Sequence, residues 1–196
     1  MAPGVLLKVG ICKSVCALLL AVGLPPSARA TEIIDRRDNQ PGTFPVLEAQ
    51  TLRGRTVRLP DQLKGERNLL LVAYEREQQA DLDTWLAVLD TMAPQLPDFA
   101  YYELPTISNG YKWMRAVIDG GMKQGIPDRA QRDRTITLYI DVDWYRGQIG
   151  TADNDSIAAL LVDRQGTILT RWYGRYADTS GEQLRAALAP DADEAR

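Results

Sequence analysis

Apolar and polar positions are grouped along this chain so that each segment predicts one structural element. In FPVLEAQTLRGRTVRLP, from Phe44 to Pro60, two short segments flank Arg53-Gly54, and apolar Val57 and Leu59 alternate after the turn, which predicts a β-hairpin. The following PDQLKGERN, which shares Pro60, predicts a short helical turn closed at Gly65. Leu69 to Tyr74 is an uninterrupted apolar run, the pattern of a strand covered on both faces, and it predicts the centre of an α/β sheet. Leu82, Trp85, Leu86, Leu89 and Met92 then recur at helical spacing until Pro94, and Phe99 to Leu104 predicts the next strand. A helix between two strands makes them a parallel pair.

A second helix is expected over about Asn109 to Met122, with Trp113, Met114, Val117 and Ile118 on its apolar side and Gly120-Gly121 at its end. On this pattern Trp85 and Trp113 both belong to the core. The polar stretch KQGIPDRAQRDR reads as a loop leading to a strand at Thr135 to Ile140. IAALLVDRQGTILTRWYG predicts two strands joined by the turn Arg164-Gln165-Gly166. A closing helix follows, with Thr179 and Glu182 as its capping box and Leu184 and Leu188 facing the core.

The N-terminus changes how composition is read. Residues 1–30 have no acidic side chain, carry Lys8 and Lys13, and present an apolar run from Val15 to Leu24 ahead of Ala28-Arg29-Ala30. That is the pattern of a secretory signal peptide with a small-x-small cleavage site. Its apolar core is about half the roughly 20 residues a membrane-spanning helix needs. Neither Cys12 nor Cys16 follows the Leu-small-small triplet of a lipoprotein signal. The expected organisation is a signal peptide over 1–30, a flexible leader over 31–43, one domain over 44–189 and an acidic tail over 190–196. The product is expected in the periplasm or outside the cell, or anchored in the inner membrane if the signal is retained.

Cleavage after Ala30 removes both cysteines, so disulfides and thiol catalysis are not expected of the mature chain. Histidine is absent throughout, which removes the commonest general base and metal ligand. Loss of Lys8, Lys13 and Arg29 takes the net charge from −3 to −6, which argues against nucleic acid and against a generic anionic membrane surface as partners.

The order hairpin, strand, helix, strand, helix, strand, strand-turn-strand, helix resembles the thioredoxin-like superfamily, in the branch of peroxiredoxins and periplasmic thiol-disulfide oxidoreductases. The residues carrying it are Phe44-Pro45, Leu52, Gly54, Val57, Leu59, Leu63 and Gly65, then Leu161 to Gly166 with Ile168 and Gly174. The resemblance implies an α/β fold with a central mixed sheet flanked by helices and an N-terminal β-hairpin. It also implies a Cys-x-x-Cys pair on or within a residue of Gln78 and Asp81, and a facing cis-proline at about Ile157, with Ser156 before it. None of these positions holds the family residue, and thiol-disulfide exchange needs a thiolate. A second resemblance is to the assembly factors of the mitochondrial ATP synthase membrane sector. It rests on Phe44-Pro45, Trp85, YYELP at Tyr101 to Pro105, GMKQGIP at Gly121 to Pro127, TLYID at Thr137 to Asp141 and LLVDRQG. It implies a protein partner such as a membrane-protein subunit, with no catalytic residue and no cofactor.

Three groups of side chains remain as candidate chemistry. Asp141, Asp143, Asp153 and Asp155 have the oxygen ligands a Ca²⁺-like ion takes, but not at EF-hand spacing; the plainer reading is solvated loop carboxylates and a helix cap. Glu75, Glu77 and Asp81 follow the central strand, where open α/β sheets place ligands. Paired-carboxylate acid-base work there is the enzyme alternative, and charge at a helix N-terminus is the plainer one. Lys123, Arg129, Arg132 and Arg134 form either a docking element or a solvated loop offset by Asp128 and Asp133. Trp144, Tyr145 and Arg146 are of the types enriched at binding hot spots. The expected function is therefore that of a redox-inactive scaffold that binds a protein through these basic and aromatic residues.

Overall fold

A computed structural model describes residues 42–189 together with the two-residue strand Glu32–Ile33. The expected signal peptide with both cysteines, and the acidic tail, lie outside the described residues. The chain runs β1 (Glu32–Ile33), β2 (Leu47–Thr51), β3 (Thr56–Leu59), β4 (Arg67–Ala73), α1 (Gln79–Met92), β5 (Phe99–Ser108), α2 (Arg115–Gly125), α3 (Arg129–Arg134), β6 (Ile136–Ile140), α4 (Val142–Ile149), β7 (Ala158–Asp163), β8 (Ile168–Tyr173) and α5 (Asp178–Leu188).

The apolar run at Leu69 lies inside the sheet because both of its faces are covered. The strand order is β1-β2-β6-β5-β4-β7-β8, with β3 paired to β2 in the hairpin. β4, β5 and β6 are parallel, while β7 pairs antiparallel to β4, β8 to β7, and β2 to β6. Alternate residues of β4 then point to different layers. Leu70 and Val72 join Tyr102, Leu104, Leu138 and Leu160 beneath Tyr145 and Ile149 of α4 and the hairpin residues Leu47, Val57 and Leu59. Leu69 and Leu71 join Tyr101, Ala159, Leu161 and Trp172 beneath Leu82, Trp85 and Leu89 of α1 and Leu184 of α5. Trp85 anchors this second layer, 5.2 Å edge-on from Tyr176, with its indole N–H donating to the Gly174 carbonyl at 3.0 Å.

Several sequence expectations are corrected. Pro60 to Gly65 forms turns instead of a helical turn, with Leu63 N donating to Pro60 O at 2.9 Å. Residues Asn109–Met114 form a 3-10 helix ahead of α2, and Trp113 is 81% exposed instead of core. The stretch read as a loop before β6 holds the end of α2 and all of α3, whose Asp128 cap accepts from Gln131 N at 2.8 Å. At α5 the N-terminal bonds come from Ser180, whose Oγ accepts from Ala177 N at 3.0 Å and donates to Ala177 O at 2.6 Å, in place of Thr179 and Glu182. Within the span read as a leader, Glu32–Ile33 pairs with β2, and Gly42 O accepts from Ile168 N at 2.7 Å.

Candidate functional site

The parallel strands give the sheet two unlike ends. At the carboxyl end, β4 leaves the sheet at Ala73 and turns through the 3-10 helix Arg76–Gln78 into α1, facing the segment that precedes β7. Gln78 is buried, and its amide ties the two segments together. Its Oε1 accepts from Tyr74 N at 2.8 Å and Glu75 N at 3.2 Å, and its Nε2 donates to Asn154 O at 2.6 Å. Asp81 is half-buried one turn on. Ile157 is fully buried, and its carbonyl accepts from Gly174 N at 2.9 Å. The structure thus brings Gln78 against the 153–157 segment and closes the gap between them with a neutral amide.

Beside this junction the Tyr74 hydroxyl lies 3.3 Å from Thr151 Oγ1, and burial pushes its phenol upward. Glu75 and Glu77 are exposed. Among the described residues no three carboxylates could hold one ion. Asp141 caps α4 by accepting from Trp144 N at 3.0 Å, Asp143 pairs with Arg146 at 3.1 Å, and Asp153 accepts from Asp155 N at 3.2 Å. The Trp144-Tyr145-Arg146 group expected as an anchor is turned partly or wholly into the fold. Tyr145 is fully buried, Trp144 packs partly against the core, and Arg146 donates to Ala152 O.

The basic residues lie at the other end of the sheet. α3 leads into the amino end of β6, where Leu52 N donates to Thr135 O at 2.9 Å, and Arg134 lies over Tyr101 near the start of β5, so α3 and the Lys123 that Arg132 holds sit towards the amino ends of β5 and β6. They do not reach the Gln78 junction. Two of the four are structural. Arg132 donates from Nε to Ile126 O at 2.5 Å and from Nη2 to Lys123 O at 2.6 Å, holding the end of α2. Arg134 stacks 4.5 Å over the Tyr101 ring and reaches Asp90 at 3.3 Å.

Sequence reasoning missed three features. Tyr111, Trp113 and Val117 stand out of the fold at 54%, 81% and 53% exposure. Arg53, in the β2–β3 turn, pairs with Asp133 at 2.8 Å and so joins the basic group from 80 residues away. Glu103 is buried, held by Gln131 Nε2 at 3.2 Å and Thr135 Oγ1 at 3.3 Å, and desolvation raises its carboxyl above the ordinary value.

No family model and no curated protein matches this chain. Solved structures do. The putative electron transfer protein of Aquifex aeolicus superposes with a TM-score of 0.54 at 14% identity, covering 76% of this chain and 97% of its own. The thioredoxin domain of a Bacteroides vulgatus thiol-disulfide oxidoreductase gives 0.51 at 17%, covering 76% and 99%. The fold is thioredoxin-like. The exposed lipoprotein thioredoxin of Streptococcus pneumoniae, at a TM-score of 0.50 and 17% identity, covers 71% of this chain and 97% of its own. On the thioredoxin-like resemblance set out above, the β4–α1 junction is where a redox pair would stand, and Gln78 occupies it. Among the described residues the only cis peptide is Leu59–Pro60, so no cis bond precedes Ile157.

Proposed function

We propose that this thioredoxin-like chain is an exported protein that works by binding another protein and carries out no thiol chemistry. The observation that supports the reading most directly is Gln78. A neutral amide that bonds Tyr74, Glu75 and Asn154 stands where a thiolate nucleophile would be needed. Exchange proceeds only by attack of sulfur on sulfur, and residues 31–196 contain no cysteine.

The partner class follows from the resemblance to assembly factors of the ATP synthase membrane sector, which favours a membrane-protein subunit. The contact surface we assign is Tyr111, Trp113 and Val117, beyond the carboxyl end of β5. Trp and Tyr carry large binding increments when a partner desolvates them. This replaces the Trp144-Tyr145-Arg146 surface, whose central residue is enclosed by the core.

The test has two arms. Purified exported protein is assayed for insulin reduction, and turnover would overturn the absence of thiol chemistry. Envelope extracts are then captured on wild type and on Trp113→Ser, with membrane subunits identified by mass spectrometry. A subunit held by wild type and lost by the variant supports the reading, and equal capture by both rejects the surface.

A further inference from the structure

At the amino end of the parallel strands, Arg53, Lys123, Arg129 and Arg132 line one cleft of about 350 Å³ together with Leu52. They come from three places in the chain, the β2–β3 turn, the end of α2 and α3. We propose that this cleft binds a phosphate group carrying about two negative charges.

Charge balance favours a dianion. Four cations line the cleft, and the carboxylates set among them are Asp133, paired with Arg53, and Asp128, which caps α3. Two positive charges are left over, and a phosphomonoester carries about −1.5 to −2 at pH 7. Arginine forks match phosphate oxygens two at a time, and a lysine adds a mobile point charge.

The cleft is also preorganised. Arg53 is held by Asp133 at 2.8 Å, and Arg132 by the carbonyls of Ile126 and Lys123. Both guanidinium groups are therefore positioned before any ligand arrives, which lowers the ordering cost of binding. Nη1 of Arg132 takes no part in its two carbonyl bonds. Lys123 and Arg129 make no side-chain ion pair among the described residues, so they are free to close on the anion. This site lies at the opposite end from Gln78 and does not depend on the protein-binding reading.

The source of the phosphate is either a small soluble phosphate compound or the headgroup of an anionic lipid. Calorimetric titration of the purified protein at low ionic strength with glycerol 3-phosphate, a soluble phosphomonoester, and sedimentation with phosphatidylcholine vesicles with and without phosphatidic acid, separate the two. We expect saturable glycerol 3-phosphate binding at one site, weakened at least tenfold in the double variant Lys123→Ser/Arg129→Ser with an unchanged melting temperature. Arg129→Ser alone should show a smaller loss in the same direction. Vesicle binding that glycerol 3-phosphate displaces would assign the lipid source; glycerol 3-phosphate binding without vesicle binding would assign the soluble one. The proposal is overturned if neither phosphate probe binds, if the double variant binds as well as wild type, or if the dicarboxylate glutarate binds as tightly as glycerol 3-phosphate.

Discussion

The side-chain amide of Gln78 and the backbone carbonyl of Asn154, 76 residues apart in sequence, meet at 2.6 Å. With the two bonds that Gln78 Oε1 accepts from Tyr74 and Glu75, this contact makes the β4–α1 junction one unit with the segment before β7. A net contribution of about 1 kcal/mol per bond makes Gln78→Ala destabilising by about 2–3 kcal/mol in urea unfolding. Gln78→Glu keeps the acceptor but sets an oxygen against Asn154 O, and should cost about 1–2 kcal/mol at neutral pH. A loss below about 0.5 kcal/mol for Gln78→Ala, the range of an ordinary surface substitution, would show that the junction is not held by this amide.

Glu103 should make stability depend on pH in the sense opposite to a salt-bridged carboxylate. Its folded-state value is raised above 4.5 by burial. The protonated form fits the site without penalty below that pH, and stability is lost as the pH rises through the folded value. Both hydrogen bonds to Glu103 end on Oε1, so Glu103→Gln preserves them. The variant is expected to match wild type near pH 4 and to exceed it in melting temperature at pH 7. Equal stability at both pH values would mean that the carboxylate is already solvated.

Tyr145 supplies an alkaline counterpart. Its ring is fully buried, its hydroxyl has no hydrogen-bond partner among the described residues, and burial holds its phenol well above 10.0. A raised folded value leaves stability intact below pH 10 and removes it as pH climbs further, at up to about 1.4 kcal/mol per pH unit. Tyr145→Phe removes a stranded polar group, so it should be neutral or stabilising at pH 7 and should flatten the fall in stability above pH 10. A strongly destabilised variant would point to a bonded hydroxyl.

The basic residues divide into structural and free ones, and stability measurements should reveal the division. Arg132→Ala leaves the carbonyls of Ile126 and Lys123 without their donor and should cost about 1–3 kcal/mol. Arg129→Ser, on the exposed side of α3, should stay within about 0.5 kcal/mol of wild type. If both are silent, the end of α2 does not depend on Arg132.

What the sequence revealed and what it hid follow from the range of the interactions involved. β4 was readable because burial on both faces leaves an unbroken apolar run, and α1 because Leu82, Trp85, Leu86 and Leu89 keep strict helical phase. Trp113 was misplaced because residues Asn109–Met114 wind as a 3-10 helix. Three residues per turn in place of 3.6 shift the phase, and the apolar stripe drawn from Val117 back to Trp113 no longer holds. α3 was hidden because RAQRDR offers no apolar stripe at all. The basic cluster was visible as composition, but Arg53 enters it through a contact 80 residues long, and Gln78 finds its carbonyl across 76. Neither distance leaves a local signature.

The separation of charge between the two ends of the sheet acts before any contact is made. Glu75, Glu77, Asp141, Asp143, Asp153 and Asp155 outnumber Arg76 and Arg146 at one end, and Arg53, Lys123, Arg129 and Arg132 outnumber Asp128 and Asp133 at the other. In the field of a charged surface such a molecule experiences a torque as well as a force, so it turns while still diffusing. An anionic surface draws the cleft end towards itself and leaves the Gln78 end facing away. Added salt, by shortening the reach of that field to about 8 Å at physiological ionic strength, would randomise the approach without altering any bond within the fold.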